Sequence, residues 1–356
     1  SGIPVFGPFG KIIKTEIENF VRNNLLEEGF LEMEFPSIIS NDLLKLSKRY
    51  KKFEKEIYML KKDLILTPAV EEEVIKNFEK HLKSKKHLPF YIFTISKRFR
   101  DISSRRGVNR MKEFNMADIY GLHKNEKESL NSFKIFREVF KKIFKNLEIN
   151  FVETTKDDEN YTLFLNPSKE GEHTFYFCDN GHAVEGKNKR RYCKICNGRM
   201  KKEKGFGLGM FELCDKEIVE SIMNNKKNKE LSLTTYALGI ERLIYGIIDK
   251  NRDDKGIKWP EKINFIKYSI IPTRTDSNKL NNFCEKMEKK LTNRKNLVLY
   301  DDRKRTNVSD KVAFSDQIGI RAKYIVGIDK KEKIYVQYEK RGSKIRTKIN
   351  MEDFLG

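Results

Sequence analysis

No stretch of this chain approaches the roughly 18 consecutive apolar residues of a membrane span, and no signal peptide opens it. A soluble, cytoplasmic protein with no membrane partner is therefore expected. The chain opens on Ser1 rather than Met, so an upstream portion is expected to lie outside this numbering. Cysteine is scarce, with five in 356 residues. The odd count and the spacing argue against a disulfide framework. Acidic residues are also in deficit, 52 against 73 Lys plus Arg, for a formal net charge of +21. That excess goes beyond what solubility asks for and points to a polyanionic partner, nucleic acid above all. The chain has no internal repeat, and its length suffices for a large core spread over two or three domains.

The most informative segment present is FRDISSRRGVNRMKEFNMADIYGLH, Phe99 to His123. Its two arms, Phe99-Arg100-Asp101 and Glu113-Phe114, alternate as strands do, and the polar run Ser103 to Gly107 has turn chemistry. An antiparallel hairpin is expected. On it Arg100 can offer a rigid fork of donors to a phosphate. Phe114 can present a flat face to a purine, and Glu113 can accept hydrogen bonds. Solvated arginines on an ordinary hairpin are the competing reading.

Cys193 and Cys196 form a C-x-x-C, and Cys178 and His182 precede them as C-x-x-x-H in a Gly- and Lys-rich stretch. Four soft ligands in two close pairs suit a small tetrahedral zinc ribbon or knuckle. No helical pattern starts at the C-x-x-C to depress a thiolate pKa, which disfavours redox catalysis. Cys284 lies on the apolar stripe Leu280, Phe283, Met287, Leu291 and reads as core.

Along the chain the order is mixed. Residues 11–28 carry Ile13, Ile17, Phe20, Val21 and Leu25 at helical spacing, with Gly29 placed to end the helix. A strand through Phe30, Met33 and Phe35 runs into Pro36, and a helix over residues 71–86 follows around Val74, Phe78 and Leu82. A long helix carries Leu130, Phe133, Phe136, Phe140, Phe144 and Leu147 on one face, aromatics that belong to a core. Residues 151–205 read as a small inserted module. Tyr236-Ala237-Leu238-Gly239 leads into a helix over 241–250, and beyond Trp259-Pro260 a strand-helix-strand-helix-strand pattern predicts a separate α/β domain.

These features, in this order, resemble a class II aminoacyl-tRNA synthetase. The helix ending at Gly29 and the strand into Pro36 resemble that family's first motif, Phe99 to His123 the second, and Ala237-Leu238-Gly239-Ile240-Glu241-Arg242 the third. Within the family the chain is most similar to the bacterial type of prolyl-tRNA synthetase, through LTPAVEEEVI from Leu66 to Ile75, Gly256-Ile257-Lys258-Trp259-Pro260, and Tyr300-Asp301-Asp302-Arg303 followed by Gly319-Ile320. The large editing insertion of many bacterial members is absent.

The resemblance implies an α+β fold: an antiparallel catalytic sheet flanked by helices (1–150 and 206–260), the module at 151–205, and an α/β anticodon-binding domain at 261–356. It implies amino acid activation by ATP with Mg2+, transfer to tRNA, and a homodimer built on the first motif. Arg100 is then expected on the α-phosphate and the carboxylate, Arg242 on the terminal phosphates, and Phe114 on the adenine. Arg110 and Glu113 shape the nucleotide pocket, with Glu212 as an acidic ligand for Mg2+. Ala69, Glu71 and Phe211 are expected around the amino acid, with Glu71 on its ammonium group. Ala69 stands where the prolyl pattern has threonine, Gly207 to Leu213 lacks the pattern's histidine, and Ala237 replaces a common glycine. Two alternatives stay open: a synthetase-like ligase for another small amino acid or carrier, and a non-catalytic tRNA-binding paralogue.

Overall fold

The computed structural model of the chain describes residues 2–81, 84–104, 107–155, 161–186, 191–223, 230–263, 265–292, 296–343 and 345–349. Two compact units emerge, residues 1–6 with 17–246 and residues 7–16 with 247–356. No helix among the described residues is long and apolar enough to cross a membrane.

The chain enters through α1 (Pro8–Glu27). Gly29, at φ +81°, closes that helix as its spacing predicts, with its N–H and that of Phe30 turned back to the carbonyls of Leu26 and Leu25. Next come β1 (Leu31–Glu32), β2 (Ile38–Ser40), α2 (Asp42–Leu46), α3 (Tyr50–Phe53), β3 (Leu64–Leu66) and α4 (Glu71–His81). The expected strand through Phe35 shrinks to the two residues of β1, because Pro36 cannot donate to a ladder. The expected helix over 71–86 ends at His81, and its Leu82 lies outside the described residues.

The central hairpin is β4 (Phe90–Phe99) with β5 (Glu113–His123), paired antiparallel from Phe90 opposite Leu122 to Phe99 opposite Glu113. Residues 105 and 106 of the expected turn lie outside the described residues. After α5 (Glu126–Asn146) come β6 (Val152–Thr155), β7 (Tyr161–Pro167), β8 (His173–Cys178), β9 (Ala183–Glu185) and β10 (Met200–Leu213). Then follow α6 (Lys216–Ile222), β11 (Ser232–Gly239) and α7 (Ile240–Asn251). Nine strands make one sheet in the order β1-β4-β5-β11-β10-β7-β6-β9-β8.

Within the segment 151–205, expected as a small inserted module, β6 to β9 extend the main sheet. The long β10 joins them, pairing with β8 through its first half and with β7 and β11 through its second. One face of this sheet is sealed by α5. Phe136 stacks on Tyr236 with ring centroids 3.5 Å apart, and Phe140 meets Phe211 at 4.9 Å. Burying so many rings on one side leaves the opposite face of β4, β5, β11, β10 and β7 to line a cavity.

The C-terminal unit is a second sheet, β13-β12-β14-β15-β16. It is built by β12 (Ile266–Pro272), α8 (Asn278–Leu291), β13 (Leu297–Tyr300), α9 (Val308–Gln317), β14 (Ala322–Ile328), β15 (Ile334–Lys340) and β16 (Thr347–Ile349). Its first three strands are parallel and the last two antiparallel. Cys284 sits in its core with Ile270, Leu280, Phe283 and Val326, and burial pushes the thiol up to about 12. The segment before β12 joins this unit too, through Trp259, whose Nε1 donates to the Ile318 carbonyl at 2.9 Å.

Candidate active site

A cavity of about 490 Å³ lies on the exposed face of the large sheet. Strand alternation decides what enters it from β5 and β11. From β5 come Phe114, Met116 and Asp118, from β11 Thr235, Ala237 and Gly239, and from β10 Gly207, Gly209 and Glu212. Glu113, one residue from Phe114, points elsewhere and pairs with Lys97. Phe211, expected around a substrate, is likewise turned to the other face, fully buried among Phe133, Phe140, Phe164 and Tyr236. Gly209 is what lets β10 lie close to β11 here: a Cβ on it would stand 2.6 Å from the Ala237 carbonyl oxygen.

Arg100 leaves the end of β4. Its Nε donates to the Pro68 carbonyl at 3.1 Å, and its guanidinium lies 5.5 Å from the ring of Phe53 and 5.6 Å from that of Phe114. Burial disfavours its charge, while Glu71, Asp118 and Glu56 support it. Beneath it Arg98, almost wholly buried, pairs with Asp118 at 2.7 Å and donates to Ser96 Oγ and the Lys97 carbonyl. Burial raises the Asp118 carboxyl in spite of that pair.

Glu71 opens α4 beside Ala69, and both lie on the cavity wall. Arg49 approaches Glu71 Oε1 at 3.2 Å and Glu72 Oε1 at 3.1 Å. Burial opposes ionisation of Glu71, but Arg49 overrides it and holds the carboxyl below its ordinary value. Its second oxygen, Oε2, is buried without a hydrogen-bond partner among the described residues. An ionised carboxylate with an unused buried oxygen is a site for a cation that arrives from outside.

Arg242 follows Gly239 in the first turn of α7, its Nε on the Asn109 carbonyl at 3.2 Å and its Nη1 on the Gly207 carbonyl at 2.9 Å. Its Nη2 meets Glu172 Oε1 at 2.6 Å, and Arg110 Nη1 meets the other oxygen of the same carboxylate at 2.5 Å. Glu172 is held below its ordinary pKa, first by His173 and then by the two arginines. His173 is raised to about 9: burial disfavours its charge, and the Glu172 and Glu185 carboxylates outweigh that penalty. Arg49, Arg98, Glu172 and His173 were not expected at this site: Arg49, Glu172 and His173 lie in lysine-rich or turn-like stretches without a motif, and Arg98 lies on β4 just before the segment singled out. Glu212 stands exposed on the wall, opposite Thr235 and Tyr161 in the sheet.

Away from the cavity, at the far end of β8, the donor atoms of Cys178, His182, Cys193 and Cys196 lie within 4.8 Å of one another. Cys178 Sγ is 3.6 Å from Cys196 Sγ and 3.6 Å from His182 Nδ1, which is 3.7 Å from Cys193 Sγ. A tetrahedral zinc with bonds of about 2.3 Å separates its ligands by about 3.8 Å, so the donor set and the spacing fit that ion. The Ile195 N–H donates to Cys193 Sγ at 3.4 Å.

Residues 52–251 match the family described as tRNA synthetase class II core domain (G, H, P, S and T), and residues 267–356 match an anticodon binding domain. The chain is 29% identical over 391 residues to a proline–tRNA ligase of Ehrlichia canis, covering all of this chain and 90% of that one. Among solved structures it is similar to the Giardia lamblia prolyl-tRNA synthetase in complex with prolyl-adenylate. The TM-score there is 0.73 at 17% identity, covering 100% of this chain and 72% of that one. The Cryptosporidium parvum prolyl-tRNA synthetase complexed with L-proline and AMP gives a TM-score of 0.71 at 18% identity, covering 99% and 69%.

Proposed function

The chain belongs to the class II tRNA synthetase core family of the G, H, P, S and T group, and from that premise we propose that it is an ATP-dependent proline–tRNA ligase. A carboxylate oxygen of the amino acid attacks the α-phosphorus of ATP, and the bond from that phosphorus to pyrophosphate breaks. The aminoacyl group then passes from the adenylate to the terminal ribose of tRNA, releasing AMP. Charge grows at phosphorus in the first step, so catalysis rests on alignment and charge stabilisation. Arg100 holds the α-phosphate and the substrate carboxylate, Arg242 the terminal phosphates, and Phe114 the adenine face, with Arg110 shaping the nucleotide pocket beside Arg242. Glu71 takes the ammonium group on its unpartnered Oε2. That buried, ionised oxygen, without a hydrogen-bond partner among the described residues and set in a cavity lined by five arginines and Phe114, is the observation that carries the reading.

Class II synthetases act on ATP with Mg2+; Glu212 would hold the ion, which neutralises phosphate charge. Zinc would be held by Cys178, His182, Cys193 and Cys196 as a structural clamp on the β8–β9 end of the sheet. The C-terminal domain reads the anticodon end of tRNA, supported by the matched domain and the basic charge. A homodimer through the α1–β1 region and a cytoplasmic location complete the proposal; light scattering that gives a monomer at micromolar concentration would count against the dimer.

Ala69 favours one second reading, the same adenylate chemistry on another small amino acid, because a buried methyl offers that pocket no hydrogen bond. Pyrophosphate exchange into ATP, measured with each of the twenty amino acids separately, decides between them. Exchange with proline alone is expected. Exchange with a different amino acid moves the specificity, and silence with all twenty refutes autonomous activation.

A further inference from the structure

Arg242, expected on the terminal phosphates, and Arg110, expected to shape the nucleotide pocket, are not idle. Glu172 gives one carboxylate oxygen to Arg110 at 2.5 Å and the other to Arg242 at 2.6 Å, spanning the pair as two oxygens of a phosphate would. Two guanidinium groups drawn this close repel unless an anion lies between them. His173 backs the same carboxylate, with Nε2 at 3.6 Å from Glu172 Oε1 and Nδ1 donating to Glu185 Oε1 at 2.6 Å. The bridge is accessible: the side chains of Glu172, Arg110 and Arg242 are 25%, 37% and 27% exposed. By contrast the Arg98–Asp118 pair below is 1% and 8% exposed and is part of the core.

We propose that Glu172 is the resident anion of the nucleotide site, a positioning residue that holds Arg110 and Arg242 together and yields them to the polyphosphate of ATP. It re-forms the bridge as pyrophosphate departs. A carboxylate carries one charge and a polyphosphate several, so the exchange favours the nucleotide while subtracting the lost bridge from its affinity. The arginines are thereby kept in place at the cost of weaker ATP binding, and pyrophosphate release gains a competitor that never leaves the site. The inference rests on the reading of this cavity as the ATP site.

Calorimetry on the full chain, without amino acid, tests it with three probes: MgATP, magnesium pyrophosphate and adenosine. In Glu172→Gln the two phosphate-bearing probes are expected to bind about tenfold more tightly, the scale of two part-exposed ion pairs, with adenosine unchanged. Glu172→Asp is one methylene short and reaches one arginine, so it is expected to fall between wild type and Gln. If the Gln variant does not fold, Glu172→Asp alone decides. Unchanged or weaker MgATP binding in a folded variant, with wild type binding normally, overturns the role of Glu172 and leaves the ATP site standing. A shift of equal size for adenosine also overturns it, because a general distortion would move all three probes. Wild-type protein that binds no MgATP refutes the ATP site itself, and the bridge's role with it.

Discussion

In the C-terminal unit Lys323 is wholly buried and saturated, its Nζ meeting Asp316 at 2.5 Å and Glu339 at 3.0 Å. Lys311, also buried, donates to the Asp301 carbonyl at 2.8 Å. In the N-terminal unit Glu71 has its one strong partner in Arg49 and keeps a buried oxygen unused, while Arg100 faces two aromatic rings. Both regions hold charge away from water, which is costly without compensation. Where the compensation is complete within the chain, the charge is structural. Where it is left partial against a cavity, the missing partner is a ligand. The Glu172 bridge stands between these cases, complete but accessible.

Substitution breaks the comparison most sharply at Lys323. Lys323→Met strands the Asp316 carboxylate in the interior, while Glu339 keeps Arg346 at 2.8 Å, and is expected to cost the C-terminal unit about 3–5 kcal/mol, read by chemical denaturation, with proline-dependent exchange in the N-terminal unit largely kept. Exchange lost in proportion to stability would show that the charge is not merely structural. Arg100→Ala should do the opposite, lowering exchange by about 10²–10³-fold with the melting temperature nearly unchanged; near-normal exchange would remove Arg100 from the phosphate site.

Cys193→Ser is expected to abolish stoichiometric zinc, measured by elemental analysis, and to lower the melting temperature by a few degrees, on the order of 1–2 kcal/mol for a domain of this size. A wild-type chain that carries no zinc after expression in zinc-supplied medium would refute the clamp. An effect of similar size is expected in pH. His173 has its folded pKa raised to about 9 from an ordinary 6.5, so its contribution is complete below pH 6.5 and lost as pH rises through 9. Loss of on the order of 1–2 kcal/mol across that window, absent in His173→Gln, would be seen in urea midpoints; a flat profile would disprove the coupling to Glu172 and Glu185.

The motifs were legible because they are local. Helix periodicity from Ile13 to Leu25, the glycine at 29, and the alternation that makes Phe99 to His123 a hairpin all act within a few residues, and the structure follows them. The strand through Phe35 and the far end of the 71–86 helix failed where proline and the helix end took over. Glu113 and Phe211 show a subtler limit. Each neighbours a residue that lines the cavity, and strand geometry sends neighbours to opposite faces, so knowing the strand does not tell which residue enters the site until the covered face is known. Here α5 decides that face, by stacking Phe136 and Phe140 against Tyr236 and Phe211.

By itself the sequence determined the family resemblance, the four metal-ligand candidates and three of the cavity's arginines, Arg100, Arg110 and Arg242, since spacing and residue chemistry suffice for each. Only the tertiary structure decided which carboxylates those arginines meet. Glu172 stands 62 residues from Arg110 and 70 from Arg242, in a turn with no periodic signal. Electrostatic partnership depends on distance in space, and sheet register, with β8 and β10 joined to the central strands, brings the three together.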